Sequence, residues 1–178
     1  MVYDTYMGGG RRSSTRGRAM SIIAVDPGTS NTGVVYMDEH RIMCAKTIHY
    51  NGTVKNDQYA LKERAENIAR QLSLWVADKP HDVIVMEGFL GFSGRTGGYT
   101  YQTPYLCGYL HAALHDENIV IQTSRQVLNP RTRGNVARLR DLMAQGMKPY
   151  NGCELCTNDH LRAAACHGIY YLQGIANA

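Results

Sequence analysis

The chain has 178 residues, of which 44% are hydrophobic. That suffices for one domain with a full core and is short for two. No apolar run approaches the ~18 residues of a membrane span, and the first residues are polar and basic, unlike a secretory leader. The formal net charge is +4, but it is unevenly spread. Residues 1–19 carry Arg11, Arg12, Arg16 and Arg18 against Asp4 alone. Residues 124–148 carry Arg125, Arg131, Arg133, Arg138, Arg140 and Lys148 against Asp141 alone. The remainder is therefore acidic, a division that suits a polyanion binder with a separate cation-holding site. A solvated basic face would give the same composition.

Five cysteines without a secretion signal point to reduced thiols in a cytoplasm-like compartment. Cys153 and Cys156, followed by His160, have the spacing of half a zinc site. No second pair completes it, so free thiols are the expectation.

In chain order, residues 1–19 hold Gly8-Gly9-Gly10 and an arginine-rich run with no apolar periodicity, which predicts a disordered basic arm. The folded domain is then 20–178. A buried strand follows at 21–26, ending on Asp26, and a loop of Pro27, Gly28, Thr29, Ser30, Asn31 and Thr32 leads into a second strand at 33–38. Gly28 and Gly33 allow close backbone approach beside Asp26. A third strand at 42–49 completes an antiparallel meander. Residues 57–78 follow helical spacing, with Leu61, Ala65, Ile68, Leu72, Trp75 and Val76 on one stripe and Lys62, Glu63, Arg64, Glu66 and Arg70 mostly elsewhere. Trp75 is thus expected in the core.

A fourth strand at 82–87 repeats the first pattern, an apolar run closing on an acid, here Glu87. Residues 88–103 form a glycine-rich loop carrying Phe89, Phe92, Arg95, Tyr99 and Tyr101. Aromatics and a cation on such a loop suit stacking on an unpaired base; folding back onto the core is the other reading. A helix from Pro104 to about His115, a strand at 118–122, a basic helix at 135–147, a loop at 148–157 and a last helix at 158–172 complete the order. The result is an α/β fold, β-β-β-α-β-α-β-α, with a mixed five-stranded sheet and helices on both faces.

Two carboxylates on strand ends define the chemistry. If the strands of Asp26 and Glu87 are parallel neighbours, both acids leave the same sheet edge, where the last helix can bring Asp159 and His160. Such a cluster repels itself unless divalent cations sit in it. Two Mg²⁺ or Mn²⁺ ions ~4 Å apart would suit in-line phosphodiester displacement. The bland reading is that Asp26 ends a strand and caps a turn.

Three segments carry a resemblance: Ile23-Ala24-Val25-Asp26-Pro27-Gly28-Thr29-Ser30-Asn31-Thr32-Gly33, Val83-Ile84-Val85-Met86-Glu87, and Asp159-His160-Leu161-Arg162-Ala163-Ala164-Ala165-Cys166-His167-Gly168. Over about residues 20–175 the chain resembles the RuvC-type Holliday junction resolvases of the RNase H-like superfamily. The resemblance implies a homodimeric, metal-dependent endonuclease that nicks four-way or otherwise branched DNA. It assigns Asp26, Glu87 and His160 to metal-site positions, Phe89 to stacking at the crossover, and Arg125, Arg131 and Arg133 to the backbone near the scissile phosphate. It also implies action in the cytoplasm or at the nucleoid, including that of a phage host.

One departure stands out. The family's usual fourth acid, three residues after the His160 position, is Ala163 here. Asp159 lies one turn earlier on the same helix face and is the expected substitute. A degraded site on a non-catalytic junction binder is the alternative. The Asp26–Gly33 loop also resembles the phosphate loop of sugar kinases, but those enclose a nucleotide between two domains, so no nucleotide cofactor is expected.

Overall fold

The computed structural model describes residues 19–52, 58–88, 101–123, 127 and 159–176. Its elements in chain order are β1 (Ile22–Asp26), β2 (Asn31–Met37), β3 (Ile42–His49), α1 (Gln58–Ala77), β4 (Val83–Gly88), α2 (Gln102–Ala113), β5 (Ile119–Thr123) and α3 (Asp159–Ala176). The strands form one sheet in the order β3-β2-β1-β4-β5. β1–β2 and β2–β3 are antiparallel, whereas β1–β4 and β4–β5 are parallel. This is the mixed five-stranded α/β architecture expected from the sequence.

Strand periodicity divides the core into two layers. Ile22, Val35, Met37, Val83 and Val85 face α3, where they meet Leu161, Ala164, Ala165 and Ile169. Ile23, Val25, Val34, Ile48, Ile84 and Met86 face the other way, onto Ala65, Ile68, Leu72 and Val76 of α1 and Leu106 and Leu110 of α2. β1 is covered on both faces, and all five of its residues are buried. That explains its unbroken apolar run up to Asp26. Trp75 packs at the edge of the α1 layer, with the Lys79 ammonium 4.0 Å from its ring centroid.

Element boundaries shift from the sequence expectation for local reasons. β2 begins at Asn31, not at 33, because Asn31 and Thr32 already pair with His49 and Ile48. The Thr32 hydroxyl donates to the Gly28 carbonyl at 3.0 Å, which tightens the turn to four residues. α2 begins at Gln102, ahead of Pro104. Proline is tolerated there because first-turn N–H groups have no partner within the helix. α3 continues four residues past the expected Leu172. Arg64, placed with the solvent-facing charges from sequence, is buried, with its guanidinium 5.5 Å from the centroid of the Tyr50 ring.

Cys44, Cys107 and Cys166 form no disulfide. No described helix is long and apolar enough to cross a membrane. The arm at 1–18, most of the 88–103 loop with Phe89, Arg95 and Tyr99, the segment with Arg125, Arg131 and Arg133, the helix expected at 135–147, and Cys153 and Cys156 lie outside the described residues.

Candidate active site

The parallel register of β1 and β4 pairs Val25 with Met86. The next residues, Asp26 and Glu87, therefore leave the sheet at the same edge. Alternation sets their face: Asp26 continues the Ile22 side of β1, and Glu87 the Val83–Val85 side of β4, so both carboxylates stand on the face covered by α3. The register of β4 and β5 then pairs Glu87 with Gln122. Three polar side chains thus end three adjacent parallel strands, under the first turns of α3.

α3 brings two histidines onto this row. His160 Nδ1 lies 2.7 Å from Asp26 Oδ2. His167, two turns later, is fully buried, with Nδ1 3.2 Å from Gln122 Oε1 and Nε2 3.5 Å from Glu87 Oε2. Leu161 anchors the start of α3 in the core and is 1% exposed; burial of such a side chain stabilises by about 1.5–3 kcal/mol. Two glycines admit the helix end. A β-carbon on Gly33, which pairs with Asp26 across β1 and β2, would fall 2.4 Å from the His160 carbonyl carbon and oxygen. One on Gly28 would fall 2.7 Å from His160 Cε1. The sequence had marked both positions for close approach.

The electrostatics follow from this burial. Asp26 is pushed up to about 6, chiefly because the carboxylate is withdrawn from water. The hydrogen bond to His160 works against that shift, and the neighbouring Glu87 carboxylate adds to it. His160 is raised in turn, first by its hydrogen bond to Asp26. Asp26 and Glu87 are therefore close enough to repel, in a place where water does little to screen them.

The remaining sequence candidates behave differently. Asp159 is not drawn into the row. Its side chain is 88% exposed and pairs with Arg162, three residues along. As the first residue of α3 it lies about 100° around the axis from His160, turned off the sheet. Ala163 offers only a methyl group, so among the described residues no third carboxylate joins the pair. No group of three or more His, Cys, Asp or Glu side chains there is arranged to hold a metal ion. Tyr101 is exposed and receives the backbone N–H of Tyr105 at the start of α2. His167 and Gln122 were missed from sequence. The signal for His167 is its seven-residue spacing from His160, which returns it to the same helix face. The signal for Gln122 is a polar residue where an apolar strand ends.

No family model matches the chain, and no curated protein matches it in sequence. Solved structures do match in shape. Thermus thermophilus RuvC in complex with a Holliday junction substrate superposes with a TM-score of 0.65, covering 89% of this chain and 96% of that one at 14% identity. The yeast mitochondrial Holliday junction resolvase Ydc2 superposes at 0.66, covering 89% and 80%, with 11% identity. The fold is that of the RuvC-type resolvases. Within that fold, the row built from β1, β4, β5 and α3 brings together, among the described residues, the buried Asp26 and His167 with the partly buried Glu87 and His160.

Proposed function

We propose that the protein is a divalent-metal-dependent endonuclease that nicks four-way or otherwise branched DNA. The observation that carries this reading is the pair Asp26 and Glu87, held at neighbouring strand ends on a resolvase fold with His160 at 2.7 Å from Asp26. Their donor set fits a cation. Two hard oxygen ligands repel one another in a largely dehydrated pocket, and Asp26 retains its proton up to about pH 6. Asp26 and Glu87 would hold Mg²⁺ or Mn²⁺, with His160 as ligand or as a fixed partner of Asp26. A bound cation supplies the charge that activates water and steadies the leaving oxygen in phosphodiester hydrolysis. His160 orients the Asp26 carboxylate and accepts or returns a proton at Nδ1. Gly28 and Gly33 let the helix end approach closely enough to do so.

The DNA-facing parts of the proposal rest on the resemblance and, for Arg95, Tyr99 and Tyr101, on the composition of the 88–103 loop. Phe89 stacks at the crossover, Arg95, Tyr99 and Tyr101 line the same loop, and Arg125, Arg131 and Arg133 contact the backbone. Two copies of the chain make paired nicks. A non-catalytic junction binder is the second reading, and Ala163 with the outward Asp159 favours it. Incubation of a synthetic four-way junction with the protein and Mg²⁺ separates the two. Nicking that is lost in both Asp26→Asn and Glu87→Gln, with junction binding kept, supports the enzyme. Intact junction binding with no cutting at any Mg²⁺ or Mn²⁺ concentration supports the binder.

A further inference from the structure

His167 is fully buried in the layer between α3 and the sheet, among side chains that are mostly apolar. Its Nε2 is one of the few buried side-chain polar atoms, among the described residues, that lacks a hydrogen bond of good geometry. That atom is aimed at Glu87, 3.5 Å from Oε2. On the other side of the ring, Nδ1 lies 3.2 Å from the end of the Gln122 side chain. Gln122 is itself buried and is the register partner of Glu87 on the adjacent strand.

The chemistry of the three groups limits how hydrogens can be arranged. Gln122 can present either its oxygen or its NH₂ to Nδ1. If it presents NH₂, Nδ1 accepts and Nε2 carries the ring hydrogen. If it presents oxygen, Nδ1 donates, and Nε2 is either protonated as well or a bare lone pair. A bare lone pair would set two acceptors face to face without water, which is costly. With Glu87 ionised, as a cation ligand must be, every favourable arrangement puts an N–H of His167 toward its carboxylate. Simple packing does not call for this residue, since a leucine or phenylalanine would fill the same layer without a polar atom.

We propose that His167 is a positioning residue for Glu87: its Nε2–H orients the carboxylate toward Asp26, and Gln122 locks the imidazole in place. This deepens the proposed function and rests on Asp26 and Glu87 being the cation-holding pair. Groups standing behind metal ligands in this way typically contribute about 10- to 100-fold in metal affinity.

The test is Mn²⁺ binding to the full chain, measured by calorimetry and by paramagnetic resonance, alongside thermal unfolding in EDTA. His167→Phe keeps the ring shape and removes both nitrogens. It is expected to weaken Mn²⁺ binding by about 10- to 100-fold and to shift the Mn²⁺ concentration needed for junction nicking by a similar factor. In His167→Gln the amide nitrogen reaches the Nε2 position, and most of the affinity should return. Unchanged Mn²⁺ affinity in His167→Phe, with Glu87-dependent binding by the native protein, overturns the positioning role and leaves the proposed function standing. Absence of Glu87-dependent Mn²⁺ binding by the native protein overturns both. Should His167→Phe not fold, Gln122→Leu carries the same comparison, because it releases the ring without removing it. An unshifted affinity there also overturns the proposal.

Discussion

Replacing Asp26 with asparagine should remove cutting and, in the absence of metal, make the protein more stable. The side chain of Asp26 is 11% exposed, and its carboxyl is pushed from 3.8 up to about 6, mainly by burial. At about 1.36 kcal/mol per pKa unit, holding it ionised at neutral pH costs the metal-free fold roughly 3 kcal/mol. The sign follows from proton linkage. The folded state binds the proton more tightly than the unfolded chain, so this stability is fully present below about pH 4 and is lost as the pH rises through about 6. His160, also raised, adds a loss in the same direction at higher pH. Asparagine avoids the ionisation, and because the hydrogen bond to His160 is already included in the value of about 6, it needs no separate deduction. The gain at pH 7.5 is therefore up to roughly 3 kcal/mol, or on the order of 6–12 °C in Tm for a chain of this size. Circular dichroism melts in EDTA at pH 4.5, 6 and 7.5 measure it. The native protein should lose stability across that series relative to Asp26→Asn, and Mg²⁺ should restore stability to the native protein only. Parallel pH profiles for the two proteins in EDTA, or an asparagine variant that melts lower at pH 7.5, would refute the idea that an uncompensated buried charge defines this site.

Other substitutions probe the frame around that charge. Gly33→Ala drives a methyl group into the backbone of His160; overpacking of this kind costs about 1–3 kcal/mol, and displacing a catalytic group by about 1 Å can slow a reaction about 100-fold, so nicking should fall further than the melting temperature suggests. Leu161→Ala removes the buried anchor beside His160 and should cost about 2–5 kcal/mol by denaturant unfolding. Single Arg→Ala changes at 125, 131 and 133 should weaken junction binding and make its log–log salt slope shallower by about one per lost phosphate contact, as read from binding titrations between low and moderate salt.

Much of the fold could be read before any coordinates because β1 and β4 carry a simple signal. Each is an apolar run that stops at an acid, and a strand buried on both faces has no other way to place a charge than at its end. The amphipathic spacing of α1 was equally plain, yet it gave no hint that Arg64 tucks in against Tyr50, since burial of a long cation depends on which ring happens to lie nearby. At the site, Asp26, Glu87 and His160 were legible as strand-end and helix-start residues. Asp159 was misjudged because a neighbour in sequence is not a neighbour around a helix axis: one residue of rotation carries it from the sheet to Arg162. His167 went unread for the opposite reason. Its meaning depends on the pairing of β4 with β5, a contact between segments that no local pattern announces.

The bond between His160 and Asp26 spans 134 positions of the chain. A ribosome must therefore release the whole stretch between them before the two can meet. A shortened product ending between Glu87 and α3 would carry both strand-end acids and lack the imidazole hydrogen-bonded to one of them. In such a layout, the pairing of Asp26 with His160 reports directly on whether the last helix has docked against the sheet.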